Sequence, residues 1–196
     1  MIYTATLTNA TLRLSETRVV ADLLIRGVTA ADWRDAIVEE NVLQLKSPVY
    51  GIRFANYLRA RLEPLGEGFW KMVRDGDREL ATQASLAGAV KHSRLLGDFM
   101  DLTIRERRTL FAEELNYQDW NAYVEGCRGR DPDMPHWSET TIAKLRSCVF
   151  SILVEACYLS DPHQLRLQTV FVDPALAEYL RDQDERYVLR CLEVAE

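Results

Sequence analysis

Apolar residues recur at steps of three and four along most of the chain, and nearly every such run opens on a polar capping residue. This is the pattern of amphipathic helices rather than of strands. Its clearest instance begins at Ser47-Pro48, where a serine oxygen can accept an orphan backbone N–H and proline has none to leave unpaired. From there Gly51, Phe54, Ala55, Leu58, Leu62 and Leu65 fall on one side at about 100° per residue, and Arg53, Asn56 and Ala60 on the other. Upstream, Ser15 is placed to cap a helix with Val19, Val20, Leu23 and Leu24 inward and Gly27 as its stop. Thr29 and Asp32 have the spacing of a capping box, with Val28 and Trp33 as its hydrophobic staple.

Beyond the 47–62 helix, residues 64–68 read as a break. A short helix follows, carrying Phe69, Trp70, Met72 and Val73 and ending at Asp75-Gly76. Asp77 starts the next one. Its stretch LATQASLAGAV, residues 80–90, is uncharged and small, which predicts a central helix with close neighbours on several sides. Another helix from Leu95, with Phe99 and Leu102 inward, closes on Arg105, Arg107 and Arg108. The second half repeats the capping signals at Asn116 with Asp119, with Leu115 and Trp120 as staple and the helix fading near Gly126, and again at Ser138. After Ser138, Ile142, Leu145, Val149, Ile152, Ala156 and Leu159 form a long core stripe. Leu165, Leu167, Thr169 and Phe171 alternate and permit a short β-hairpin over 163–172. Asp173-Pro174 starts a small helix to about Arg181, and the end from Asp182 is charged and is either a helix or a tail. The expectation is an all-α, multi-helix bundle in three parts: an N-terminal bundle at 14–112, a helical subdomain at 113–182 and a charged segment at 183–196.

Composition narrows the function classes. The four cysteines match neither a zinc site nor a short disulfide framework and read as free thiols, and no run approaches the roughly 20 apolar residues of a membrane span. The chain is therefore expected in the cytoplasm. No phosphate-binding loop, nucleophile elbow or His-Glu-x-x-His motif occurs, and the three histidines are scattered, so neither catalysis nor a cofactor is expected. The net charge of −6 is unevenly spread: residues 46–108 carry 12 cations against 8 acids, residues 109–196 only 8 against 16. A local basic surface can hold a polyanion despite an acidic total, because phosphate contacts act within roughly 8–10 Å. Two places combine cations with a helix end: Lys46, Ser47, Arg53, Asn56 and Arg59 around one start, Lys91 and Arg94 at another junction. Arg105, Arg107 and Arg108 are the reserve. The acidic second half suits a basic protein partner instead.

Four segments carry a family resemblance. Residues 39–47 (EENVLQLKS), 91–99 (KHSRLLGDF), 115–123 (LNYQDWNAY) and 145–159 (LRSCVFSILVEACYL) occur in the order and spacing of the BrxA family, over roughly residues 14–182. The chain thus resembles the accessory proteins of bacteriophage-exclusion (BREX) defence systems. The resemblance implies a cytoplasmic helical protein with a NusB-like arrangement that binds double-stranded DNA without known catalysis, beside other BREX defence proteins such as a methyltransferase and an ATPase. A scaffold subunit of the same complex that does not touch DNA is the alternative. The resemblance supplies no contact residues; those named above rest on charge and helix-end physics.

Overall fold

The computed structural model describes residues 2–7, 11–161 and 163–194. It is all-helical: α1 (Leu14–Ile25), α2 (Ala30–Val38), α3 (Pro48–Leu62), α4 (Gly66–Asp75), α5 (Arg78–His92), α6 (Arg94–Asp98), α7 (Arg105–Thr109), α8 (Tyr117–Arg130), α9 (Glu139–Glu155), α10 (Pro174–Asp182) and α11 (Arg186–Leu192). A 3-10 turn, Glu63–Leu65, joins α3 to α4, and a π-helical stretch, Phe99–Ile104, joins α6 to α7.

The caps form where the side chains call for them. Thr29 with Asp32 and Asn116 with Asp119 close complete capping boxes, and Ser47, Asp77, Ser138 and Asp173 each accept a first-turn N–H. Helix α1 is the exception. It starts two residues early, behind Arg13 in a left-handed conformation (φ 51°), and Ser15 lies inside the helix instead of capping it. Gly27 ends α1 as expected, in the left-handed region at φ 61°. Helix α8 runs past Gly126 to Arg130.

Helix α5 is the centre. Its residues from Gln83 to Val90 are all buried, and α3, α4 and α11 pack around it. At Gly88 the α3 backbone comes so close that a Cβ would lie 2.9 Å from the carbonyl oxygen of Arg61, so only glycine fits. The same apolar cluster extends from Tyr3 in the N-terminal arm to Val194, on both sides of the 112/113 boundary. Residues 1 and 8–10 lie outside the described residues, while Tyr3 and Leu7 are fully buried.

Two expectations change and one open reading resolves. Leu102 is 41% exposed rather than inward, because the π-helical turn has wider spacing than an α-turn and shifts the facing of every residue after Phe99; Met100, Asp101 and Ile104 take the inward positions. The alternating segment at 163–172 does not fold back on itself as a hairpin. Arg166 bridges to Glu114 and Leu167 to Leu159, so the segment lies between two other loops, with no named strand among the described residues. The charged end is a core helix: Val188, Leu189, Cys191 and Leu192 of α11 are buried, although 195 and 196 fall outside the described residues.

Candidate nucleic-acid interface

The start of α3 is delivered by a braced loop. Between α2 and α3 the backbone turns twice through the left-handed region, at Asn41 (φ 47°) and Gln44 (φ 52°). Asparagine tolerates that conformation because its short amide bonds locally. Here the Leu45 N–H donates to Asn41 Oδ1 (2.9 Å) and Asn41 Nδ2 donates to the Leu45 carbonyl (3.1 Å). Leu43, between the two turns, is buried. Ser47 follows immediately. Its Oγ accepts the Tyr50 N–H at a long 3.4 Å, Pro48 has no N–H, and the Val49 N–H has no acceptor among the described residues. Lys46 and Arg53 are exposed, and neither side chain has an ion pair or hydrogen bond among the described residues.

Apolar surface lies beside these cations. Val49 is 72% exposed, and Tyr50 is half exposed with its ring stacked on Phe54 (5.7 Å between centroids, 8° between planes). The Arg13 guanidinium sits over Phe54 at 5.5 Å and pairs with Glu16 at 2.6 Å. An open groove of about 380 Å³ runs from Arg13 and Glu16 to residues 42–45.

The other proposed contacts are engaged within the protein. Asn56 Oδ1 accepts the Trp33 indole N–H (3.1 Å). Arg59 lies over the Trp33 ring at 5.1 Å and pairs with Glu63 at 2.7 Å. Lys91 pairs with Glu185 at 2.5 Å. Arg94 donates to Asp98 (2.8 Å) and stacks on Tyr187 at 3.9 Å. Ser93 caps α6 much as Ser47 caps α3, but Leu96, whose N–H it accepts, is buried. The reserve arginines also serve the fold: Arg105 donates to the Glu193 carbonyl, Arg107 lies 3.6 Å from Asp119, and Arg108 donates to Thr169 and the Gln168 carbonyl. Burial lowers the pKa of Arg108.

Two features are absent from the sequence expectations. Arg61, on the apolar side of α3, is 2% exposed and donates to the Thr11 carbonyl (3.0 Å) and Tyr57 Oη, while its Nε has no partner among the described residues. Burial lowers its pKa. A buried polar knot around Asp98 was equally hidden. Its carboxylate accepts from Tyr3 Oη and Tyr187 Oη, both at 2.7 Å, as well as from Arg94. Gly97 has no Cβ there because one would collide with the Tyr187 hydroxyl. An arginine set three residues after Leu58 and four before Leu65, and a tyrosine 95 positions from its partner, leave no local signal.

The arrangement at α3 offers charge, one open N–H and an aromatic ledge, but no convergent nucleophile and base. No group of three or more metal-ligating side chains occurs among the described residues. The BrxA family model matches residues 1–184. The chain belongs to the BrxA family. A protein named BREX protein BrxA from Paramagnetospirillum magneticum is 45% identical over 98% of this chain and 97% of its own length. Relatives with the same name from Escherichia coli O9:H4 and Bacillus cereus are 29% and 25% identical, over 91% and 82% of this chain and 84% and 80% of theirs. A crystal structure of an uncharacterized protein from Magnetospirillum magneticum superposes with a TM-score of 0.92 at 43% identity, covering 99% of this chain and 100% of that one. All four segments of the resemblance fall within the matched span.

Proposed function

We propose that this BrxA-family protein is an accessory component of a BREX phage-defence system and binds double-stranded DNA through phosphate contacts at the start of α3, with no catalytic step of its own. Lys46 and Arg53, exposed beside the open Val49 N–H, carry this proposal. Asn56 is spent on Trp33, so the exposed stripe of α3 has no Arg, Asn and Gln array for reading base edges. The contacts position a duplex without specifying its sequence. The protein would act in the cytoplasm with the other proteins of the system; no described helix is long and apolar enough to cross a membrane.

Titration of a labelled duplex at several salt concentrations tests this reading. Changing Lys46 and Arg53 together to Ala should flatten the slope of log K against log salt by about 1.8 units, near 0.9 for each lost phosphate contact. An unchanged slope in the folded double variant removes the α3 site. The scaffold alternative has its own support in the acidic second half of the chain.

A further inference from the structure

Helix α7 ends with an unusual residue. The Ala112 N–H bonds to the Arg107 carbonyl and the Phe111 N–H to the Arg108 carbonyl, both at 2.9 Å, which is the Schellman closure of a helix. That closure places the residue after the C-cap in the left-handed region, where glycine is favoured and a bulky side chain is strained. The residue here is Phe111, at φ 54°, and its side chain is 93% exposed. It adds strain and contributes almost no burial. Leu110 beside it is 65% exposed.

The surrounding charge selects the occupant. Two of the nearby cations face inward, Arg107 reaching Asp119 and the Glu114 carbonyl and Arg108 reaching residues 168 and 169, while Arg166, bridged through its backbone to Glu114, is exposed and offsets one of the two carboxylates. Glu113 and Glu114 are exposed, and neither carboxylate has an ion-pair partner among the described residues. The Glu113 carbonyl accepts the Leu167 N–H and the Leu115 N–H donates to the Leu165 carbonyl, so the far end of this short loop is fixed as the α7 closure fixes its start. A rigid tip with two apolar side chains and two free carboxylates repels DNA and anionic lipid alike. It complements an apolar pocket edged by cations.

We propose that residues 110–114 are a docking tip for a protein partner that offers an apolar pocket rimmed by lysine and arginine, with Phe111 as the inserted side chain. For the partner's identity this rests on the BREX reading, since the partner is taken to be another protein of the same defence system.

The probes are the purified proteins encoded in the same defence locus, each titrated against the full-length chain. One of them should bind. Phe111→Gly relieves the backbone strain, so it should keep or raise the thermal midpoint while weakening that binding by about tenfold, a typical loss for a central aromatic anchor. Glu113→Lys with Glu114→Lys should also weaken it and reduce its salt sensitivity. Both variants should bind duplex DNA at least as well as wild type. The proposal is overturned if no protein of the locus binds wild type, or if the Phe111→Gly complex is as tight as the parent. It is also overturned if Phe111 instead drives self-association in sedimentation or pelleting with phosphatidylglycerol vesicles. The DNA reading fails separately, through an unchanged salt slope in the Lys46/Arg53 double variant, and that result leaves the protein titrations intact.

Discussion

Two helix starts in this protein share the same local grammar and differ in their side-chain commitments. At Ser47 and at Ser93 a serine accepts an N–H three residues on, and cations lie within a few positions on either side. At the first, Lys46 and Arg53 are unpaired among the described residues and Val49 is open to solvent. At the second, Lys91 is held by Glu185, and Arg94 by Asp98 and the Tyr187 ring. A capped start flanked by cations is therefore not yet an anion site. What decides is whether an acid from elsewhere in the chain arrives first, and residues 185–187 arrive at one start and not at the other.

The largest test targets the knot that commits the second start. Asp98→Ala should lower stability by about 3 kcal/mol in urea denaturation, because a buried and a half-buried tyrosine hydroxyl and a guanidinium lose a shared acceptor. A loss well under 1 kcal/mol would mean that the α6 junction is free, as α3 is, and the contrast would collapse.

Next comes the pair of binding measurements. The Lys46/Arg53 double variant should lose DNA affinity steeply at low salt with its thermal midpoint nearly unchanged, since both side chains lie off the buried face of α3. Lys91→Ala should leave the salt slope of DNA binding as in the parent and lower stability by about 0.5 kcal/mol, the size expected of a partly exposed ion pair. A flattened slope in Lys91→Ala would show that its bond to Glu185 opens readily for phosphate.

The same contrast explains what could be read in advance. Caps at Thr29, Ser47, Asp77, Asn116, Ser138 and Asp173 were legible because donor and acceptor lie within three residues of each other. The apolar side of α3 was legible because periodicity is local, and the uncharged stretch of α5 proved central for the same reason. The π-helical turn was not: nothing in FMDLTI distinguishes it from an α-turn, and its effect was to move Leu102 from core to surface. Of the seven proposed contact residues, the long-range commitments of Asn56, Lys91 and Arg94 depend on Trp33, Glu185 and Tyr187, which are 23 to 94 positions away. Charge counts by segment could not reveal them. Arg61 shows the same limit inside the core, where a residue whose charge alone assigns it to the surface occupies the apolar side of α3.

The smallest expected effect lies between the two starts. His92, at the end of α5, packs edge-on against Tyr57 of α3 with ring centroids 5.5 Å apart, and Arg61 is close enough to repel its proton. Burial, and secondarily Arg61, pull its pKa below the ordinary imidazole value of 6.5. The folded protein therefore holds this proton less tightly than the unfolded chain does. Its contribution is present in full above pH 6.5 and is lost as pH falls toward and through the depressed folded value. Wild type should lose stability between pH 7.5 and 5.5, and His92→Phe, which keeps an aromatic edge against Tyr57 but has no proton to take up, should lose less over the same interval. Urea midpoints of both proteins at the two pH values measure the difference. If the two curves run parallel, His92 is solvated in the folded state, and α3 and the α5 end are less tightly joined than the Gly88 crossing beside Arg61 implies. Because the imidazole sits one residue from both Lys91 and Ser93 but touches α3, a pH effect confined to stability, with the DNA salt slope unmoved, keeps the two helix starts distinct even where they meet.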